Sequence, residues 1–225
     1  MLSIVVPCCN EEKSIARFEA ELFPNLPEPY EVVAVDDGSR DGTRAALEEL
    51  AKKHPVRVVV HEHNRGLGAA VRSGLAAATG DWVVTLDADL TFHPKHVADL
   101  LAKQKETGAD LVAGSPFEAM SDVPWERKLP SLMLNAFYRG LFTHSLTAYT
   151  PIFRLYRREA LSKIKLEAEG FEINAEIAAR MLRKGCKAAE TPVPLTTRTE
   201  GTSKLSSWRE LARHVKLIAR LLGSA

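Results

Sequence analysis

Two short clusters of carboxylates in this sequence could bind a metal ion or a polar ligand. Asp36 and Asp37 follow the apolar run YEVVAV, and Asp87 and Asp89 follow the run WVVTL. Carboxylates on alternate residues can both point at one hard divalent cation, and Mg²⁺ needs only one or two of them because water and phosphate oxygens complete its shell. Asp87 and Asp89 therefore predict a metal and phosphate site, although such pairs also simply cap helices.

Asp36 and Asp37 suggest a second binding role beside this one. A carboxylate at the end of a strand can accept hydrogen bonds from a base N–H or from ribose hydroxyls. The glycines of Asn64-Arg65-Gly66-Leu67-Gly68 would let the backbone approach a ligand closely, and a tight turn between strand and helix explains them equally well. The glycine motifs of dinucleotide-binding and P-loop proteins do not occur in the sequence, which removes the main support for those two folds.

Alternating strands and helices must position these groups. Apolar, β-branched runs predict strands, and helical periodicity predicts the segments between them. This alternation favours an α/β fold with a mostly parallel central sheet covered by helices on both faces, in which ligands bind at the carboxyl ends of the strands. The predicted strands are 2–7, 30–35, 56–61, 82–86, 110–113, 152–156 and 187–195; the helices are 10–22, 44–54, 69–78, 95–107, 131–143 and 171–184, with a surface loop at 117–130.

Composition excludes several classes of protein. The 225 residues are 45% hydrophobic and carry a net charge of +1, which predicts a globular chain and argues against a dedicated nucleic-acid binder. We find no apolar run of the roughly 18 to 20 residues that cross a bilayer and no signal-like N-terminus. Three sparse cysteines (Cys8, Cys9 and Cys186) fit a reducing compartment. These features predict a cytoplasmic protein.

The last twenty residues differ from the rest of the chain. We expect one domain over residues 1–205 and a basic amphipathic helix over 206–225. Such a helix can lie in the headgroup plane of an anionic membrane, or its apolar stripe can pack on protein; both alternatives stay open. The stripe consists of Trp208, Leu211, Val215, Ile218 and Leu222, and the cations beside it are Arg209, Arg213, Lys216 and Arg220.

Several motifs together resemble one known family. The sequence is similar to family 2 glycosyltransferases with the GT-A fold, and among them to the dolichyl- and polyprenyl-phosphate mannosyl and glucosyl synthases. The motifs in this order are together far more specific than any one of them alone. They include Pro7-x-x-Asn10-Glu11, Val35-Asp36-Asp37-Gly38-Ser39, Asn64-x-Gly66-x-Gly68, Leu86-Asp87-Ala88-Asp89-Leu90, Phe153-Arg154, and Arg198-x-x-Gly201-x-Ser203-Lys204.

The resemblance implies an inverting transfer of mannose or glucose from GDP-mannose or UDP-glucose to a polyprenyl or dolichyl phosphate, with Mg²⁺ or Mn²⁺. The basic amphipathic C-terminal helix suggests peripheral contact with the inner face of a membrane, and the near-zero net charge predicts no nucleic-acid partner. By position, the residues that would hold the donor are Pro7, Glu11, Asp36, Asp37, Gly66, Asp87 and Lys204. Asp87 and Asp89 would hold the metal, and Arg127 and Ser131 the acceptor phosphate. The catalytic residues would be Asp89, Arg127, Glu176 and Arg198.

The predicted role of Glu176 depends on the chemical class of the acceptor. A phosphate acceptor is already anionic and needs no strong general base, whereas a hydroxyl acceptor needs one. Glu176, which follows Gly170 on a predicted helix, is the candidate base in the second case. Its alternative role is an ion pair with a nearby Arg or Lys.

Some positions depart from the family pattern, mainly on the acceptor side. The chain has Cys9 in place of an aromatic residue, Thr91 in place of Gln, and Pro116 in place of Arg. Where relatives read Thr-Asp-x-Thr-Ser-Gly-Phe-Arg, Ala148 replaces the acid and Ile152 the glycine. A same-fold glycosyltransferase with a saccharide or small-molecule acceptor, and a donor-binding protein with weakened catalysis, are therefore the alternatives.

Overall fold

The computed structural model describes residues 1–116, 134–141, 146–195 and 207–223. In this part of the chain one sheet of seven strands has the order β3-β2-β1-β4-β6-β5-β7. Neighbouring strands are parallel except where β6 pairs with β4 and β5, so the predicted mostly parallel sheet is confirmed. The strands are β1 (Leu2–Cys8), β2 (Tyr30–Asp37), β3 (Val56–His61), β4 (Trp82–Thr85), β5 (Leu111–Ser115), β6 (Arg154–Arg157) and β7 (Ala188–Pro192).

Helices cover both faces of the sheet. They are α1 (Glu12–Ile15), α2 (Thr43–Leu50), α3 (Leu67–Ala77), α4 (Val97–Thr107), α5 (134–141), α6 (Arg158–Leu161), α7 (Ile173–Arg183) and α8 (Ser207–Gly223). The strands are buried on both sides because alternate residues enter two different cores: Ile4 and Val6 of β1 enter one, and Val5 enters the other. This explains why the strands read as continuous apolar runs rather than as alternating ones.

Two predicted elements differ in detail. The predicted helix 10–22 is a short α1 followed by a π-helix at Phe18–Leu22. Its apolar face is nevertheless as predicted, because Ile15, Phe18 and Leu22 are buried. The predicted strand 187–195 ends early, at Pro192, although the Val193 N–H still donates to the Ser115 carbonyl at 2.9 Å.

Helix α8 packs on the domain with one side. His214, Leu217 and Leu221 are buried, and the two leucines belong to the same core as α3 and α7. Tyr138 of α5 joins this contact, with its hydroxyl 2.8 Å from His214 Nδ1. Burial lowers the pKa of His214, which keeps the ring neutral in this apolar setting. Within the described residues, no helix has the length and apolar character needed to span a bilayer.

Candidate active site

The carboxyl ends of β1, β2 and β4 bring the two carboxylate clusters to one edge of the sheet. Strand β1 lies between the other two, pairing in parallel with both; its last residue, Cys8, is level with Asp36. Asp87 and Asp89 follow the end of β4 on the other side of β1. The structure thus assembles at this edge the acidic groups that the sequence predicts there.

The turn after β4 exposes two carboxylates on either side of a buried residue. Ala88 and Leu90 are buried, whereas Asp87 and Asp89 are partly exposed. Leu90 has a φ of +54°, a left-handed conformation that is rare for a bulky residue and that often marks functional sites. Its N–H donates to the Asp87 carbonyl at 3.1 Å. The backbone therefore turns sharply here while the Leu90 side chain anchors the turn in the core.

Asp89 is oriented by its neighbours. Its Oδ1 accepts hydrogen bonds from the Thr91 N–H at 2.9 Å and from the Thr91 hydroxyl at 2.7 Å. The Asp89 carbonyl accepts from Arg17 Nη1 at 3.3 Å, so a cation that motif reading missed lies beside the acidic turn. Nothing in the spacing of Arg17 signals this contact, because it joins residues 72 positions apart in the sequence.

These residues fit a hard divalent cation that takes its other ligands from phosphate and water. The donors are carboxylate oxygens, which suit Mg²⁺ and Mn²⁺. Across the described ranges, no cluster of three or more His, Cys, Asp or Glu side chains could hold a metal by itself. Asp87 and Asp89 alone would suffice for Mg²⁺ with a bound diphosphate.

Asp37 is tied to the loop after β3. Its side chain is almost fully buried, and its two oxygens accept hydrogen bonds from the Arg65 N–H at 2.9 Å and the Gly66 N–H at 2.8 Å. His61 Nδ1 lies 2.7 Å from the same carboxylate and its Nε2 lies 2.9 Å from the Ser73 hydroxyl. Asp37 therefore fixes the loop after β3, and its contact with the nucleoside stays a prediction. Asp36 is also buried.

The glycines after β3 serve packing within the protein. Gly66 has a φ of +93°, and a Cβ added there would lie 2.5 Å from the Glu169 carbonyl oxygen. A Cβ on Gly68 would lie 2.3 Å from the carbonyl oxygen of Ala168. The Gly68 N–H donates to the Glu169 carbonyl at 2.8 Å. The turn interpretation of these glycines is thus supported, and the donor contact of Gly66 stays a prediction.

Glu176 lies in the interior rather than in the site. Its side chain is fully buried; Oε2 accepts hydrogen bonds from the N–H groups of Glu167 and Ala168, at 2.9 and 2.7 Å. Its Oε1 forms an ion pair with Arg180 at 2.8 Å. These contacts give Glu176 the pairing role, and the candidate role as general base is not supported. Glu176 instead holds the 167–168 backbone against which Gly68 packs.

The end of β1 is tied to the loop after β2. Asn10 has a φ of +55°, a conformation that asparagine tolerates better than most residues. Its N–H donates to the Ser39 hydroxyl at 3.0 Å and its side chain accepts from the Arg40 N–H at 2.8 Å. The Glu11 N–H donates to the Thr43 hydroxyl at 2.7 Å. Pro7 and Glu11 are partly exposed at this edge, as a donor-binding role requires.

Cys9 lies beside the loop that follows β3. It is partly exposed, and Asn64 Nδ2 donates to its sulfur at 3.1 Å. Its neighbour Cys8 is buried, which raises the pKa of that thiol. The other predicted site residues, Arg127, Ser131, Arg198 and Lys204, lie outside the described residues, as does the predicted loop 117–130.

Comparison with known proteins identifies the family. Residues 3–165 match the family described as glycosyl transferase family 2. Polyprenol monophosphomannose synthase of Mycolicibacterium smegmatis is 33% identical over 90% of this chain and 80% of its own length. Dolichol-phosphate mannosyltransferase of Pyrococcus furiosus is 31% identical over 98% of this chain, which spans 63% of that relative.

Solved structures agree on the fold. Glucosyl-3-phosphoglycerate synthase from Mycobacterium tuberculosis superposes with a TM-score of 0.71 at 24% identity, covering 99% of this chain and 80% of that one. A complex of that synthase with Mn²⁺, UDP-glucose and glycerol 3-phosphate gives a TM-score of 0.68 at 22% identity over 99% and 79% of the two chains. Since the family match covers most of the chain and both sequence relatives exceed 30% identity, this chain belongs to glycosyl transferase family 2 and is a glycosyltransferase with the GT-A fold.

Proposed function

We propose that this enzyme is an inverting hexosyltransferase that moves mannose or glucose from a nucleotide diphosphate sugar to a polyprenyl phosphate. The observation that carries the proposal is the acidic turn after β4, where Asp87 and Asp89 are partly exposed beside Leu90 in its left-handed conformation. The two sequence relatives are named for mannose transfer to polyprenol and dolichol phosphates. GDP-mannose and UDP-glucose are the two candidate donors.

The reaction needs charge stabilisation more than covalent chemistry. When the bond between the sugar and the diphosphate breaks, negative charge develops on the departing phosphate. A bound Mg²⁺ or Mn²⁺ would stabilise this charge as a Lewis acid. Asp87 and Asp89 would hold the cation, with Thr91 fixing one Asp89 oxygen. By resemblance, Arg198 and Lys204 would contact the phosphates of the donor.

The burial of Glu176 and its ion pair with Arg180 favour a phosphate acceptor. A hydroxyl acceptor requires a general base to remove its proton, whereas a phosphate monoester already carries negative charge near neutral pH. Glu176 is fully buried and paired with Arg180, so it is not poised to deprotonate a substrate. This argues against a saccharide acceptor activated by Glu176 and supports the polyprenyl phosphate.

A donor comparison tests the proposal. The protein is incubated with Mn²⁺, a polyprenyl phosphate and either radiolabelled GDP-mannose or UDP-glucose, and organic extraction then separates labelled lipid. We expect one donor to label the lipid fraction strongly and only when the lipid phosphate is present. No labelled lipid with either donor would refute the proposed activity.

Arg127 tests the acceptor side. The resemblance assigns Arg127 and Ser131 to the acceptor phosphate, and with Pro116 replacing an arginine, Arg127 should carry more of this binding. We expect Arg127→Ala to raise the acceptor KM by about tenfold or more, as loss of a charged hydrogen bond predicts, with little change in the donor KM. Arg57→Ala, at an exposed arginine of the outer strand β3, is the control. Equal effects of Arg127→Ala on both KM values would contradict the assignment.

We further propose that α5 and α8 form a peripheral membrane surface. Val215 and Leu222 of α8 are 60% and 54% exposed, and Phe137 and Leu141 of α5 are 50% and 37% exposed. The two helices touch through Tyr138 and His214. Arg213 and Lys216 are exposed on α8. Exposed apolar side chains next to cations are typical of helices that bind anionic lipid.

Flotation with vesicles tests this surface. We expect the double variant Val215→Ser, Leu222→Ser to bind vesicles of anionic phospholipid about tenfold or more weakly than the wild type, since each buried aliphatic side chain contributes more than about 1 kcal/mol. Val60→Ser is the matched control, because Val60 is an exposed apolar residue of β3. Equal binding of the double variant and the wild type at low salt would exclude the membrane role.

A further inference from the structure

Arg17 reaches the acidic turn from a distant part of the chain. It lies directly before the π-helix Phe18–Leu22, and its Nη1 donates to the Asp89 carbonyl at 3.3 Å. The π-helix and Leu90 of the turn bury side chains in the same core. The segment that carries Arg17 is therefore anchored beside the turn.

Glu21 fixes the direction of the Arg17 side chain. Its Oε1 accepts from Arg17 Nε at 2.8 Å, and its Oε2 accepts from Nη2 at 2.6 Å. A bidentate pair of this kind restricts the planar guanidinium to one orientation, in which Nη1 points at the Asp89 carbonyl. The hydrogen bonds from Arg17 lower the pKa of Glu21, so the carboxylate is ionised near neutral pH and the pair has no net charge.

The carbonyl that Arg17 binds belongs to the peptide group between Asp89 and Leu90. The N–H of the same peptide group donates to the Asp87 carbonyl at 3.1 Å. Both polar atoms of this peptide are thus held, and its orientation determines the φ of Leu90, which is +54°. A bulky residue in the left-handed region is strained, and this conformation persists only where the surroundings hold it.

We propose that Arg17 is a positioning residue for the metal site. With Glu21 as its clamp, it holds the Asp89–Leu90 peptide in the orientation from which Asp87 and Asp89 bind Mg²⁺ or Mn²⁺. The inference rests on the proposed function, which assigns the metal to these two carboxylates. Metal ligands must be held in place by the groups around them, and the loss of such a group commonly weakens metal binding.

The charge of Arg17 alone would have the opposite effect on the metal. A positive side chain beside a bound cation repels it, so removing that charge would strengthen metal binding. Loss of the contact that holds the turn weakens metal binding instead. The sign of the change in metal affinity therefore separates the two roles.

Mn²⁺ binding to the full chain tests the proposal. The protein is titrated with Mn²⁺ in the presence of GDP and, separately, of UDP, and free Mn²⁺ is measured by electron paramagnetic resonance. The double variant Arg17→Met, Glu21→Gln removes the pair and leaves the net charge unchanged. We expect its Mn²⁺ Kd to rise by about tenfold, as for other groups that orient metal ligands. Arg17→Met alone should also raise the Kd, and it serves if the double variant does not fold.

Glu159 and Lys163 provide a matched control. They form an exposed ion pair between residues four apart, at 2.6 Å, as Arg17 and Glu21 do. Helix α6, to which Glu159 belongs, directly follows the end of β6 that pairs with the start of β4. The control pair thus lies at the opposite edge of the sheet from the acidic turn. The double variant Glu159→Gln, Lys163→Met should keep the Mn²⁺ Kd within about twofold of the wild type.

Hydrogen exchange follows the turn in the absence of metal. The Leu90 N–H donates to the Asp87 carbonyl and the Thr91 N–H to Asp89 Oδ1. We expect both amides to exchange faster in the Arg17→Met, Glu21→Gln variant and at the wild-type rate in the control. A role of Arg17 in overall stability alone would lower the melting temperature without this local change.

An unchanged or lower Mn²⁺ Kd in Arg17→Met would overturn the proposal. Unchanged exchange at Leu90 and Thr91 in the double variant would overturn it as well. Asp89→Ala, titrated in parallel, distinguishes this failure from that of the proposed function. If Asp89→Ala binds Mn²⁺ as tightly as the wild type, the metal assignment itself fails, and the proposal about Arg17 fails with it.

Discussion

Replacing Asp89 with alanine should reduce turnover by about three orders of magnitude, because the enzyme loses charge stabilisation at the departing diphosphate. The fold should survive. Asp89 is partly exposed, and its Oδ1 bonds to Thr91, a residue of the same turn. Loss of these bonds is worth about 1 to 2 kcal/mol. Turnover at saturating donor and Mn²⁺ is the measurement, with the melting temperature as a check on folding.

Thr91→Val is the matched control for this prediction. It removes the hydroxyl that donates to Asp89 Oδ1 and leaves the carboxylate itself in place. We expect a turnover within about tenfold of the wild type, since one hydrogen bond to a carboxylate contributes about 1.5 kcal/mol and the Thr91 N–H still donates to Asp89. Near-normal turnover of Asp89→Ala would show that the acidic turn does not bind the metal.

Glu176→Ala should have its largest effect on stability. The variant leaves the Glu167 and Ala168 N–H groups and the Arg180 guanidinium without their carboxylate. Removing one partner of a buried ion pair costs about 3 to 5 kcal/mol. At about 2 to 4 °C per kcal/mol for a chain of this size, the melting temperature should fall by roughly 6 to 20 °C. Thermal unfolding followed by circular dichroism measures this change.

The same variant separates the two roles of Glu176. If Glu176 is structural, the fraction that stays folded at low temperature should retain a turnover near that of the wild type. Glu159→Ala, which breaks an exposed pair with Lys163, should change stability little. A Glu176→Ala enzyme with normal stability and no turnover would restore the general-base role.

Strand and helix order could be predicted from the sequence because apolar patterning is local. Short runs rich in β-branched residues, such as YEVVAV, favour strands covered on both faces, and the acidic residues directly after such strands then lie at one edge. The same reasoning locates Asp36, Asp87 and Asp89 at that edge. It also predicts the buried face of Ile15, Phe18 and Leu22, although not the π-helical backbone between them.

Hydrogen bonds between a side chain and a different segment of the chain could not be predicted in this way. Asp37 binds the Arg65 and Gly66 amides, and Glu176 binds the backbone at 167–168; neither spacing follows a helical or strand period. Motif position therefore does not reveal that Asp37 supports the loop after β3. The apolar residues of helix α8 could not be sorted from the sequence either. Leu217 and Leu221 pack on the domain, whereas Val215 and Leu222 stay exposed. Hydrophobic periodicity does not separate these two groups.

The choice of acceptor distinguishes transfer to a lipid phosphate from transfer to a hydroxyl group. The labelled donor that proves active is offered in parallel to a polyprenyl phosphate, to the same polyprenol without its phosphate, and to 3-phosphoglycerate. We predict label in the lipid fraction with the polyprenyl phosphate alone, because an anionic acceptor needs no general base. Transfer to the unphosphorylated polyprenol, or preferential transfer to 3-phosphoglycerate, would contradict the account.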